Sequence, residues 1–225
     1  MTELPQPTKH AFEIYEVTSA IMTEFVPGLS VIKALSDIAI QKRLEAGQAL
    51  LIGEISRTGL TALSNEKWSY YVPAAYRFFE QIRIGEYDHN LSVLAKLIAG
   101  DLEGDIASAD VGKIGRAASK LEMLPREHLV ALSRCERAFE IYQASDVCDG
   151  YWICIDAHDL LASFADAGKD VSLIKCYEWL HELSSRGLLT ASGRPSKIGG
   201  IFYYRNSVYN EIFSAIQKIA MPTEY

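Results

Sequence analysis

The chain reads as a mainly α protein: a long helical block, then a smaller unit whose helices carry a small antiparallel β-sheet. Three observations carry that reading. Apolar residues recur at three- and four-residue steps from Ala11 to Tyr142, with no convincing strand among them. Short aromatic and β-branched runs bounded by glycine and aspartate begin only after Gly150. The composition, 49% hydrophobic and 23% charged, is close to the globular average, so a packed core is expected rather than disorder.

A length of 225 residues suits one large domain or two modest ones, on a scale of roughly 100–200 residues each. The expected division is a loose proline-containing tail at 1–9, a helical domain at 10–145 and a C-terminal domain at 150–225. The turn-rich Asp146–Gly150 marks the boundary. Basic residues number 22 against 29 acidic, a formal charge of −7. That balance argues against broad non-specific attraction to nucleic acid, which needs cations to displace counterions, but leaves room for a local basic patch.

Thr2 to Pro7 lack the basic start and apolar core of a secretory signal. The most apolar early stretch, Val17 to Ile40, is broken by Glu24, Pro27-Gly28, Lys33 and Asp37. A membrane span needs roughly 20 apolar residues, so a buried amphipathic helix pair is expected there instead. Cys135, Cys148, Cys154 and Cys176 form no CxxC pair, and reduced thiols in the cytoplasm are expected.

Within the helical block, Phe12, Tyr15 and Ser19 share one face of a first helix, which Pro27-Gly28 interrupts. A second runs from about Ser30 through Val31, Leu35, Ile38 and Ala39. The aromatic cluster Trp68, Tyr70, Tyr71, Tyr76, Phe78 and Phe79 is expected to pack as core, with Pro73 in a helix's first turn. Asp88 or Asn90 caps a helix through Leu91, Leu94 and Ile98 that ends at Gly100, followed by a solvated acidic loop. Asp110 starts the next helix, and Pro125 opens one carrying Leu129, Leu132, Cys135, Phe139 and Tyr142.

Past Gly150 the pattern changes. Tyr151 to Ile155 reads as a strand, and Asp156 caps a helix with Asp159 in its first turn. Ala167-Gly168-Lys169-Asp170 turns the chain. Asp170 or Ser172 caps a second helix with the stripe Leu173, Cys176 or Tyr177, Leu180 and Leu183, closed by Arg186-Gly187. Leu188 to Ala191 and Ile201 to Tyr204 read as strands around a glycine-rich tip, and a last helix spans about Ser207 to Ala220.

That order resembles a winged helix-turn-helix. The run ELSSRGLL (Glu182 to Leu189), a polar tip and then GIFYYRN are similar to the end of the second helix and the wing of many bacterial winged-helix domains. The resemblance covers roughly the last third of the chain and rests on element order. It implies contact with DNA through the outer face of the second helix and through the wing. On this chain those positions are Ser172, Lys175, Trp179 and Glu182, then Arg194 and Lys197. The departure from a DNA-binding surface is charge: residues 150–225 hold seven basic and eight acidic side chains. A second, looser likeness lies in NLSVLAKLIAGDLEG and VGKIGRAASKLEMLPREHLVAL, which are similar to uncharacterised bacterial helical proteins related to abortive-infection (phage-defence) proteins.

Motifs for chemistry are thin. Ser30–Lys33 and Ser172–Lys175 both match S-x-x-K, a pattern expected on the order of once by chance in such a length, and the accompanying S-D-N and K-T-G are absent. Asp101, Glu103 and Asp105 alternate like a calcium loop but lack its glycine and its final glutamate. Cys148 and Cys154 stand too far apart for a structural zinc pair, so Cys154 and Cys176 are expected to pack as small apolar residues. The tip Gly193 to Gly200 lacks the ending of a phosphate-binding loop. No catalytic residue, metal, cofactor or small-molecule ligand is therefore expected.

The expectation is a non-enzymatic binding protein. In one form it is a DNA-binding transcriptional regulator with Ser172, Lys175, Trp179, Arg194 and Lys197 in contact, Trp179 standing outward beside Lys175. In the other it is a protein-interaction or oligomerisation module of a defence-type protein, meeting a protein partner or a second copy of itself without touching nucleic acid.

Overall fold

The structure, a computed structural model, describes residues 9–25, 34–60, 62–105, 109–142, 154–195 and 200–217. Among them the chain is mainly helical, with one small three-stranded antiparallel sheet near its C-terminal end. None of these helices is long and apolar enough to cross a membrane. The chain packs as two compact units, 1–123 and 124–225. The division falls one helix earlier than the turn-rich Asp146–Gly150 suggests.

The first unit holds α1 (Lys9–Glu24), α2 (Ala34–Arg57), α3 (Asn65–Ile84), α4 (Asp88–Glu103) and α5 (Val111–Leu121). Helix α4 is buried over most of its circumference: Leu91, Val93, Leu94, Ala95, Leu97, Ile98, Ala99 and Leu102 are all inside, and a stripe through Asp88, Ser92, Lys96 and Gly100 meets solvent. A helix with so broad an apolar face belongs in a core, and α2, α3 and α5 pack against it. Tyr71, Phe78 and Phe79 of α3 have no exposed surface, so most of the aromatic cluster is core as expected, while Tyr76 remains 43% exposed.

Several local expectations change. In α1 the buried stripe is Ile14, Thr18 and Ile21, continued by Phe25 just past the helix, and Tyr15 points to solvent. Thr18 Oγ1 is hydrogen-bonded to the Tyr71 hydroxyl, whose pKa burial pushes up to about 12. Pro73 lies inside α3 rather than in its first turn. The helix starts earlier because Ser64 caps it, its Oγ accepting from Lys67 N at 3.3 Å. Tyr87 rather than Asp88 or Asn90 is the N-cap of α4.

Helix α4 also continues past Gly100 to Glu103, so Asp101 sits in its last turn instead of a solvated loop. There its two oxygens accept from Tyr70 Oη at 2.8 Å and Lys113 Nζ at 2.6 Å. Burial and the Asp101 carboxylate together push the Tyr70 pKa far up. Asp110 caps α5 as read, accepting from Gly112 N at 2.7 Å.

Gly47 and Gly53, both in α2, make a controlled comparison. A Cβ at Gly47 would stand 2.1 Å from Ile82 Cδ1, whereas nothing lies within 4 Å of one at Gly53. Ile82 is 2% exposed and has little room to yield. Gly53→Ala is expected to stabilise the unit by about 0.5–1 kcal/mol through helix propensity. Gly47→Ala is expected to lose about 1–2 kcal/mol despite that gain, because overpacking dominates. Urea unfolding of the two variants separates these signs.

The second unit runs α6 (Arg126–Tyr142), β1 (Cys154–Ile155), α7 (Ala157–Ala165), α8 (Leu173–Ser185), β2 (Thr190–Pro195), β3 (Ile201–Tyr204) and α9 (Ser207–Gln217). Helix α6 packs on α7, α8, β1 and α9, so it belongs to this unit by contact. The sheet order is β1-β3-β2, both pairs antiparallel. Strand β3 pairs Tyr204 and Tyr203 with Cys154 and Ile155 on one side and with Thr190 and Ala191 on the other. The register is irregular between Ala191 and Pro195. Strand β2 begins at Thr190 because Leu188 and Leu189 are buried in the turn after α8, where both amides reach Leu183 O.

Asp156 makes a full capping box: its Oδ1 accepts from the amides of His158 and Asp159, and Asp159 Oδ2 accepts from Asp156 N. At the other end of the unit, Glu136 of α6 accepts from Arg205 Nη2 and from Tyr209 Oη, each at 2.7 Å. Arg205 lies over the Phe139 ring at 4.7 Å, which ties α6 to the residues around the start of α9. In α9, Tyr209, Ile212, Ala215 and Ile216 are buried and Val208 is only partly so; Ile219 lies outside the described residues.

Candidate functional site

Helix α8 owes its orientation to one stripe. Cys176, Trp179, Leu180 and Leu183 are buried, and Leu173 lies at the edge. At about 100° per residue, Ile174 and Glu178 fall about 160° from Cys176 on either side, so both face away from the core. Ile174, Lys175, Glu178, His181 and Ser185 are exposed accordingly. Ser172 caps the helix, its Oγ accepting from Lys175 N at 3.3 Å. The second S-x-x-K match is therefore a helix cap; the first lies outside the described residues.

Of the five residues expected at the interface, the structure places two as read: Ser172 and Lys175 are exposed at the start of α8. Trp179 is a correction. It is only 8% exposed, its ring 5.4 Å from that of Phe164 in α7. The stripe explains this: Trp179 lies about 60° from Cys176, near enough for a large ring to fold onto the neighbouring helix. Lys175 Nζ stands 6.0 Å from the Trp179 ring, so the two remain neighbours although only the lysine meets solvent. Arg194 lies in β2 with its side chain outside the described set, and Lys197 falls outside the described residues.

Glu182, also carried over from the resemblance, is engaged within the helix. It accepts from Arg186 Nε at 2.6 Å, and that hydrogen bond holds its carboxyl below the usual range. The pair is partly exposed and adds little stability. Its consequence is orientation, because it turns one acid and one base of α8 towards each other.

Two apolar side chains escaped the sequence reading. Ile174 is 70% exposed, the most of any large apolar side chain exposed among the described residues. Ile201 in β3 is 44% exposed. Gly200, just before it, approaches α8 so closely that a Cβ there would meet Tyr177 Oη at 3.2 Å, which sets this end of the β2–β3 turn beside the helix. The signal for Ile174 was present in the sequence, since it is the apolar residue out of phase with the stripe.

Two open grooves lie among the described residues. A groove of about 270 Å³ beside Trp179 is lined by Arg126, Glu127 and Val130 of α6. In the first unit, a groove of about 370 Å³ opens between Lys42 and Arg43 of α2 and Asp88 of α4. Among the described residues no group of three or more His, Cys, Asp or Glu is placed to hold a metal ion. Cys154 and Cys176 are buried as small apolar residues, as expected, and burial pushes the Cys176 thiol up to about 11. Cys148 lies outside the described residues.

Comparison with protein-family models, with curated proteins and with solved structures finds no match for this chain.

Proposed function

We propose that the second unit is a winged helix-turn-helix that binds duplex DNA, with α8 as the helix that enters the groove and the β2–β3 hairpin as the wing. The observation that carries this reading is the element order α6-β1-α7-α8-β2-β3 with sheet order β1-β3-β2, which leaves the outer face of α8 in solvent beside the hairpin. The pairings leave the acidic balance unchanged, since Glu136 and Glu182 each engage an arginine, Arg205 and Arg186, so the reading rests on a local cation cluster. Lys175 on α8, with Arg194 and Lys197 in the hairpin segment, provides the cations for phosphate contact.

Three such cations make a weak electrostatic grip. Titration of a fluorescent duplex of arbitrary sequence is expected to give a slope of log affinity against log salt of about −2.7, a loss of about 40-fold between about 50 and 200 mM salt. Absence of binding at about 50 mM salt overturns the reading.

A second reading, contact with protein, is favoured by the 70% exposure of Ile174 on an acidic chain. Self-association in light scattering that Ile174→Glu abolishes, together with no duplex binding, would put it first.

A further inference from the structure

Resting on the duplex-binding reading, we propose that Ile174 is a specificity-determining residue that reads the C5-methyl group of a thymine in the major groove, with Glu178 accepting from a cytosine amino group one helical turn further on.

Ile174 is a side chain with no task in the fold. Cys176, Leu180 and Leu183 carry the packing of α8, and Ile174 stands opposite them, 70% exposed. Its neighbours on the outward side, Lys175, Glu178, His181 and Ser185, are all polar, so it is the lone apolar group there. Being β-branched in a helix, it is held close to one χ1 rotamer and presents its methyl groups at little entropic cost. The cap at Ser172 steadies the turn that bears it. Residues at the start of the second helix are the ones that meet base edges in this geometry. The thymine methyl is the apolar feature of a major groove otherwise lined by donors and acceptors.

Glu178 fits the same frame. It lies four residues on and about 40° around, on the same face, and about 6 Å along the helix axis. That is close to two base-pair steps of about 3.4 Å each. A carboxylate is repelled by phosphate but matches the exposed amino group of cytosine. The acidic residue that departs from a phosphate-binding face thus finds its use in base reading.

The test uses the whole chain. A duplex pool with a randomised core is selected on the wild-type protein, and the enriched duplex is resynthesised with deoxyuridine in place of thymidine, which removes only the methyl. A fixed thymine in the core, an affinity loss of about fourfold on the uridine duplex, and an Ile174→Ala variant that binds both duplexes alike are the expected results. Ile174→Val, which keeps the branched methyl pair, retains the preference. Because the side chain is exposed, both variants are expected to melt with the wild type. An enriched core without a fixed thymine, or a wild type indifferent to uridine, overturns methyl reading while duplex binding stands. No enrichment and no binding at low salt overturns both.

Discussion

Glu86→Ala is expected to destabilise the N-terminal unit by about 3–5 kcal/mol, the largest effect of any single polar substitution in that unit. The Glu86 side chain is 1% exposed and lies in the link between α3 and α4. Its Oε1 accepts from Tyr87 N at 2.7 Å, Asn90 Nδ2 at 2.9 Å and Met123 N at 3.1 Å, and Oε2 accepts from Met123 N at 3.1 Å. Met123 has φ of 50°, a left-handed conformation that costs a side-chain-bearing residue about 1–2 kcal/mol. The carboxyl holds that residue in place. Asn90 Nδ2 also reaches Leu121 O at 2.8 Å, so the same group joins the head of α4 to the tail of α5. Alanine leaves these donors facing an apolar void, whereas Glu86→Gln keeps one carbonyl acceptor and is expected to lose about half as much. Urea unfolding monitored by circular dichroism measures both; losses under about 1 kcal/mol for alanine would remove Glu86 from its assigned role.

The second large effect concerns Trp179. With its ring packed on Phe164 and only 8% of its surface in solvent, Trp179→Ala is expected to lower the stability of the C-terminal unit by about 3–4 kcal/mol. As a surface contact, the same residue would change binding and leave the melting temperature in place. A thermal melt distinguishes the two before any partner is known. If the variant melts with the wild type, the packing described for α8 is wrong. Trp179→Phe keeps an aromatic against Phe164 and is expected to cost less.

Features governed by near neighbours were legible in the sequence. The cap at Asp156 with Asp159 behind it, the cap at Ser172 and the stop at Arg186-Gly187 all depend on residues a few positions apart, and the β2–β3 pairing on a single short turn. The helical and sheet content followed from the same local periods. What escaped depends on partners far along the chain. Glu86 reads as a surface acid beside Gly85 until Met123, 37 residues on, is brought to it. Asp101 reads as part of a solvated loop until Tyr70 and Lys113 converge on it. Trp179 reads as outward beside Lys175 until the Phe164 ring of α7 is brought against it. Within the candidate site, Ile174 is the opposite case: its phase against the buried stripe marks it as outward from local spacing alone.

The burial of most of α4 has a consequence for how the first unit can be altered. A segment with a broad apolar face and only one polar stripe, through Asp88, Ser92, Lys96 and Gly100, gains order only once its neighbours have closed around the rest. The unit should accordingly open as a whole rather than fray piece by piece, and its innermost amides should be the last to trade their protons with solvent. Shortening the chain by removing α2 or α3 would leave not a smaller domain but a sticky, unfolded strip.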